Sequence, residues 1–144
     1  MDRKVAVAIA AALALVVAGC GGSETRTLDG AALVREMQLA CRSAGDAAAK
    51  EARATRGQAG IASLQAGQKA LVERLEHIEA TGASKADYDA YKEGVRARLV
   101  AIEKVVSASR ADRADVIRSV QAEAEAAGRR IEAAVRNLGV GTCG

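Results

Sequence analysis

The chain has 144 residues, a formal net charge of +3, no Pro, Trp or Phe and only two Tyr. This length fits one domain, and the scarcity of strand-favouring aromatic and β-branched runs after the first 20 residues disfavours a β-sheet fold. A nearly balanced charge without aromatic or glycine-rich contact motifs also disfavours a nucleic-acid-binding protein.

The N-terminal segment has the layout of a secretory signal. Arg3 and Lys4 precede 13 consecutive apolar residues, 5–17, a length within the ~7–15 expected for a signal-peptide core. A helix of that length rises only about 20 Å, whereas the hydrocarbon of a bilayer is roughly 30 Å thick. We therefore expect residues 1–19 to be a cleaved signal peptide rather than a transmembrane anchor.

The signal ends in Val17-Ala18-Gly19-Cys20. This ending resembles the lipobox of bacterial lipoproteins, where a cysteine after small residues receives a diacylglyceryl group before cleavage. The resemblance implies that Cys20 is lipidated and that the protein is held at the extracytoplasmic face of the cell membrane, because two buried acyl chains give stable attachment. Residues 20–28 would then be a short tether and residues 29–144 a helical domain with a C-terminal tail. The alternative is an ordinary secretory signal that contains a cysteine.

The first two helices are predicted from apolar spacing and from capping residues. Helix 1 is expected to start with Asp29 as N-cap and to end near Arg56-Gly57, with Gly45-Asp46 as a possible kink or restart. Helix 2 is expected from about Gly60 to Thr81, with Gly82 as a left-handed C-terminal residue. The apolar stripes are Leu33, Met37, Ala40, Cys41, Ala44 and Ala48 in helix 1, and Ile61, Leu64, Leu71, Leu75 and Ile78 in helix 2.

Two further helices are predicted from the same two signals, apolar spacing and capping residues. Helix 3 is expected to open with an approximate capping box at Ser84–Asp87, and helix 4 with a second one at Ser109–Asp112. Gly139 is expected to stop helix 4 and to leave a short tail. The stripes are Tyr88, Tyr91, Val95, Leu99, Ile102 and Val106 in helix 3, and Ile117, Val120, Ala124, Ala127, Ile131, Val135 and Leu138 in helix 4.

Four amphipathic helices joined by short loops predict an all-α fold, an antiparallel up-down-up-down four-helix bundle. Many of the facing positions are alanine, which lets helices approach closely but buries little apolar area at ~25 cal/mol per Å². Tyr88 and Tyr91 are expected at the edge of the core with their hydroxyls in water. Such a core should be only modestly stable without further support.

No pattern of catalytic or metal-ligating residues is evident. His77 is the only histidine, and Arg74 stands where a Glu-x-x-His motif would need glutamate, so we expect a solvated histidine and no metal site. The sequence has no Ser/His/Asp arrangement, phosphate-binding loop or CxxC motif, and we expect neither a cofactor nor an enzyme.

A disulfide between Cys41 and Cys143 is the sharpest prediction for the folded domain. Lipidation consumes Cys20, which leaves two cysteines in an oxidising compartment where thiols tend to pair. In the predicted topology the end of helix 4 returns to the end where helix 1 begins, although the tail must double back to reach Cys41. Two free buried thiols are the alternative.

The body of the chain resembles small helical lipoproteins of high-GC Gram-positive bacteria. The resemblance rests on an early cysteine in helix 1 and on the ending Leu138-Gly139-Val140-Gly141-Thr142-Cys143, but the Pro pairs common in that group are absent. It implies fold and location only. We predict a tethered structural or protein-interaction module of the cell envelope, with the membrane and an envelope protein as partners. The alternative is a lipoprotein that binds a small ligand in a cavity between its helices.

Overall fold

A computed structural model describes residues 24–55 and 60–141. The predicted all-α four-helix bundle is confirmed, and its helices are α1 (Gly30–Ala54), α2 (Gly60–Glu76), α3 (Lys85–Arg110) and α4 (Ala114–Leu138). α1 packs along α2 and α3 packs along α4, so the bundle consists of two helical hairpins that meet mainly between α2 and α3. The signal segment and the predicted C-terminus of helix 1 at Arg56-Gly57 lie outside the described residues.

Two short strands that the sequence did not predict close one end of the bundle. β1 (Arg26–Leu28) pairs in parallel with β2 (Ile78–Ala80). The pairing is flanked by a hydrogen bond from the Arg26 amide to the His77 carbonyl and another from the Thr81 amide to the Leu28 carbonyl, both 2.9 Å long. Residues 26–28, expected to be part of the tether, are therefore anchored to the folded domain.

The strand pairing corrects the predicted end of helix 2. Helix 2 was expected to continue to Thr81, but α2 ends at Glu76. Ile78 and Ala80 are buried while Glu79 between them is exposed, which is the alternation of a strand. Gly82 has the predicted left-handed conformation, with φ +65°, but it follows β2 and leads through a short 3-10 helix (Gly82–Ser84) into α3.

The helix termini are only partly as predicted. Asp29 and Ser84 occupy the expected N-cap positions, but neither side chain makes a capping hydrogen bond. The predicted cap at Ser109 is wrong, because α3 continues to Arg110 and Arg113 is the N-cap of α4. The prediction for Gly139 is confirmed.

Gly139 ends α4 in a left-handed conformation with φ +65°. The Gly139 amide donates to the Arg136 carbonyl at 3.3 Å, and the Val140 amide donates to the Val135 carbonyl at 3.1 Å, which is the hydrogen-bond pattern of a Schellman motif. Val140 is buried in the core. At the other place where a break was considered, Gly45, α1 continues as one helix.

The largest buried side chains gather near the sheet. Leu33, Met37, Leu75, Tyr88 and Tyr91 are all at most 2% exposed. The expectation of tyrosine hydroxyls in water is therefore wrong: the Tyr88 hydroxyl lies 3.0 Å from the Leu75 carbonyl, to which it donates a hydrogen bond. Burial raises the pKa of Tyr88 far above its usual value, because the charged phenolate would lose its hydration.

Small residues bring the helices of each hairpin close together. A Cβ added at Gly67 of α2 would lie 3.0 Å from the Ala44 carbonyl oxygen and 3.1 Å from the Ala48 Cβ of α1. A Cβ added at Gly94 of α3 would lie 2.9 Å from Ile131 Cγ1 of α4. Both glycines therefore occupy positions where the neighbouring helix leaves no room for a side chain.

Gly128 of α4 differs from these contact glycines, since nothing lies within 4 Å of a Cβ added there. We expect Gly128→Ala to raise the free energy of unfolding by about 1 kcal/mol, the gain in helix propensity. Gly67→Ala has the same gain but crowds backbone that cannot move alone, at a cost of about 1–3 kcal/mol, so it should destabilise. Urea unfolding followed by circular dichroism measures both; stabilisation by Gly67→Ala would show that α1 and α2 are not in close contact.

Candidate ligand-binding cleft

A cleft of about 330 Å³ opens between the two hairpins. This interhelical cleft is lined by residues of all four helices: Cys41, Ala44, Gly45 and Ala48 of α1, Ser63, Leu64, Gly67, Gln68 and Leu71 of α2, Tyr91, Val95 and Arg98 of α3, and Gly128, Ile131, Glu132 and Val135 of α4. Small-molecule sites in proteins commonly have volumes of about 300–1,000 Å³ and mainly apolar walls with a few polar groups. The interhelical cleft meets both criteria.

Small residues on α1 and at Gly128 of α4 leave the space that forms the cleft. α1 and α4 approach each other less closely than the helices within either hairpin. Gly45 of α1 and Gly128 of α4 line the resulting space, and a Cβ at either position would meet nothing within 4 Å. Larger side chains at these positions would fill the gap, so the glycines keep the cleft open.

Cys41 lies on the α1 wall of the cleft and is disulfide-bonded. The partner of this bond lies outside the described residues, as do both Cys20 and Cys143. Val135, near the end of α4, lines the same cleft, and Val140 is buried in the core. Cys143 follows Val140 by three positions in the chain, a stretch that can span about 10 Å. The Cys41–Cys143 bond stays a prediction, and this placement of the end of α4 supports it.

Tyr91 forms the floor of the cleft beside Cys41. Its hydroxyl lies 3.9 Å from Cys41 Sγ, and because a disulfide sulfur carries no hydrogen, the hydroxyl is the donor in this contact. Burial raises the pKa of Tyr91 to about 12, although the nearby positive charge of Arg98 acts in the opposite direction. Tyr91 is therefore a neutral phenol at physiological pH and contributes a hydroxyl group to the lining of the cleft.

Two opposite charges lie along the cleft, on different helices. Arg98 is on α3 and Glu132 is on α4, and both side chains are exposed. Neither takes part in the ion pairs found among the described residues. Arg98 is the one cation among the described residues that line the cleft, so it can bind an anionic group without breaking an existing salt bridge.

A second cavity of about 290 Å³ lies beyond the cleft, toward the turn between α3 and α4. This distal groove is lined by Ile61, Leu64, Ala101, Ile102, Val105, Ile117, Val120, Gln121 and Ala124. Its lining is apolar except for Gln121. Leu64 belongs to both cavities and is 55% exposed, which is unusual for a large residue predicted on the core-facing stripe of its helix.

The other residues considered from the sequence lie away from the cleft. His77 is exposed in the turn between α2 and β2, where its carbonyl accepts the Arg26 amide. Within residues 24–55 and 60–141, no group of three or more His, Cys, Asp or Glu side chains is placed to hold a metal ion.

Sequence reasoning did not identify Arg98 or the cleft glycines. Arg98 is three residues after Val95 and four before Ile102, so it lies at the edge of the apolar stripe of α3. A charged residue beside an apolar stripe could therefore have marked Arg98 as a candidate binding residue. The roles of Gly67 and Gly128 depend on which helices become neighbours, and a single sequence carries no such information.

The predicted disulfide can be tested in a Cys20→Ser background, which leaves Cys41 and Cys143 as the only cysteines. We expect no titratable thiol in the folded, unreduced protein and a linked peptide pair containing both cysteines after proteolysis. Closing a loop of about 100 residues stabilises by ~4.7 kcal/mol in the chain-entropy model, so reduction should lower the melting temperature by roughly 10 °C or more. Two titratable thiols before reduction would exclude the bond.

No protein-family model, curated protein or solved structure matches the chain. Of the helices in the described part of the chain, none combines the length and the hydropathy that crossing a bilayer requires. The function is therefore inferred from the chemistry of the cleft together with the sequence.

Proposed function

We propose that the protein is an extracytoplasmic lipoprotein, tethered to the membrane through Cys20, that binds a small ligand in the interhelical cleft. The observation that carries this proposal is the cleft itself, with a volume of about 330 Å³ and walls from all four helices. An alanine-packed bundle without a cavity of at least ~300 Å³ would have disfavoured ligand binding. The small-ligand alternative from the sequence is thereby favoured over a purely structural module.

The arrangement of exposed apolar residues also favours ligand binding over a protein-interaction module. A docking surface for another protein is expected to contain a contiguous exposed apolar patch. The large exposed apolar side chains in the described residues are Leu39, Leu64 and Val100, each on a different helix. Leu64 lines the cleft, so one of these three exposed side chains is part of the proposed ligand site.

The proposed tether fits the position of β1. Arg26, the first residue of β1, lies six residues after Cys20, and the sheet is at the end of the bundle where α1 and α3 begin. A lipid on Cys20 would therefore hold the sheet end close to the membrane. The cleft would lie farther from the membrane surface, with the distal groove beyond it.

Binding in the cleft can be tested by filling it. Gly128→Leu adds a side chain where a Cβ has open space, so it should occupy the cleft without disturbing the helix contacts. We expect the affinity for an environment-sensitive apolar dye, N-phenyl-1-naphthylamine, to fall at least tenfold while the melting temperature stays the same or rises.

The matched control is Ala133→Leu, at an exposed position of the same helix, which should leave dye binding unchanged. Equal dye affinity in the wild type and in folded Gly128→Leu protein would overturn the proposed ligand site. If crosslinking in intact cells then captured one stoichiometric envelope protein at this surface, the interaction-module alternative would replace it.

The anchor is tested separately from the ligand site. Cys20→Ser should release the protein from the membrane fraction, because the thiol that carries the acyl chains is removed, while circular dichroism of the helical domain stays unchanged. If Cys20→Ser protein still fractionates with membranes in high salt, the lipoprotein assignment is wrong.

A further inference from the structure

We infer that the ligand of the interhelical cleft is a single-chain amphiphile with a singly charged anionic head, bound with its head against Arg98 and its chain in the distal groove. This inference rests on the proposed ligand-binding function and extends its site beyond the interhelical cleft. Three observations carry it: the position of Arg98, the difference in polarity between the two cavities, and Leu64 at their junction.

Arg98 lies where the two cavities meet on α3. Val95, one turn earlier, lines the interhelical cleft, and Ile102, one turn later, lines the distal groove. At this level the apolar stripe of α3 is flanked by one guanidinium group that has no carboxylate within 4.0 Å among the described residues. A guanidinium group binds a carboxylate or phosphate oxygen pair in bidentate geometry, so it suits an anionic head.

The two cavities differ in polarity in the way that an amphiphile requires. The interhelical cleft contains Ser63, Gln68, Arg98 and Glu132 beside its apolar walls. The distal groove has Gln121 as its only polar lining residue among those described. A polar head therefore finds hydrogen-bond partners in the cleft, and an apolar chain finds a matching surface in the groove.

Leu64 connects the two cavities. Its side chain lines both and is 55% exposed, although every large apolar side chain left in water carries a cost of about 25 cal/mol per Å². A chain that runs from the cleft into the groove would cover Leu64. The exposed leucine is then explained as part of the contact surface for the chain.

Glu132 limits the charge of the head. It lies on the α4 wall of the same cleft, where it repels any negative charge. Arg98, the one cation among the described lining residues, can offset that repulsion for a single charge. Fatty acids and lysophosphatidylglycerol both have one apolar chain and a single net negative charge, so the shared chemistry fits either source. A doubly charged phosphomonoester would be disfavoured.

The test compares decanoate with decanol, both below their aggregation limits, as competitors of the apolar dye. Wild-type protein should bind decanoate more tightly. Arg98→Gln should weaken decanoate binding about tenfold and leave decanol binding unchanged. The matched control is Arg96→Gln, two residues earlier on α3, whose guanidinium pairs with Glu76 instead and whose removal should change neither affinity.

The position of the chain is tested with Ala124→Leu, which fills the distal groove, against Ala122→Leu at an exposed position of α4. Ala124→Leu should weaken the binding of both decanoate and decanol, whereas Ala122→Leu should change the binding of neither. Decanoyl-lysophosphatidylglycerol, whose acyl chain has the same length, is the third competitor and distinguishes the two sources. Tighter binding than decanoate indicates a lysolipid, and weaker binding indicates a fatty acid.

Two outcomes separate this inference from the proposed function. If dye binding depends on Gly128 but decanoate and decanol bind equally and Arg98→Gln changes neither, the cleft is a ligand site and the anionic amphiphile is excluded. If Gly128→Leu also leaves dye binding unchanged, the ligand site itself is excluded.

Discussion

The close approach of the helices within each hairpin is the constraint on which the rest of the structure depends. At Gly67 the backbone of α2 comes so near to α1 that an added Cβ would lie 3.0 Å from a carbonyl oxygen, and at Gly94 an added Cβ would lie 2.9 Å from Ile131 of α4. Dispersion contacts between such closely packed surfaces are individually small but numerous. They stabilise each hairpin as a unit, although alanine and glycine bury little area per residue. The bundle is therefore best described as two tight hairpins rather than as four equivalent helices.

This division explains why the molecule is closed at one end and open farther along. Near the sheet, Leu33, Met37, Leu75, Tyr88 and Tyr91 fill the space between the hairpins, and β1 and β2 add hydrogen bonds across the end. Farther along, the α1 wall contains the small residues Ala44, Gly45 and Ala48, and Gly128 of α4 lines the same space. α1 and α4 pack less closely than the helices within either hairpin, and the interhelical cleft occupies the space between them. The distal groove lies beyond it, between α2 and the α3–α4 hairpin. The same scarcity of large residues that limits stability thus provides the volume that a ligand can fill, and Arg98 gives that volume a charge preference.

The sequence predicted the parts of the fold that depend on local pattern. Apolar spacing located the four helices, and the left-handed conformations of Gly82 and Gly139 followed from their positions after apolar runs. The strands were missed because Ile78 and Ala80 also fit a helical stripe over so short a segment, and because their partner, β1, lies about 50 residues away in the chain. The burial of the Tyr88 hydroxyl was missed because its acceptor belongs to another helix.

The cleft could not be predicted from the sequence, because it depends on which small residues face each other in the folded protein. Arg98 was also missed, although a charge at the edge of the apolar stripe of α3 is visible in the sequence.

The proposed function requires that the gap between the hairpins stays open in solution and that an apolar ligand can enter it. Methyl NMR of the protein under xenon pressure tests it most directly, because xenon enters dry apolar cavities without needing hydrogen bonds. The account predicts progressive shifts of the methyl groups of Leu71, Val95, Ile131 and Val135, which line the cleft, and little change at Leu33 and Met37 in the filled core. Small, uniform shifts across all methyl groups would mean that the hairpins close on each other in solution, and would contradict the account.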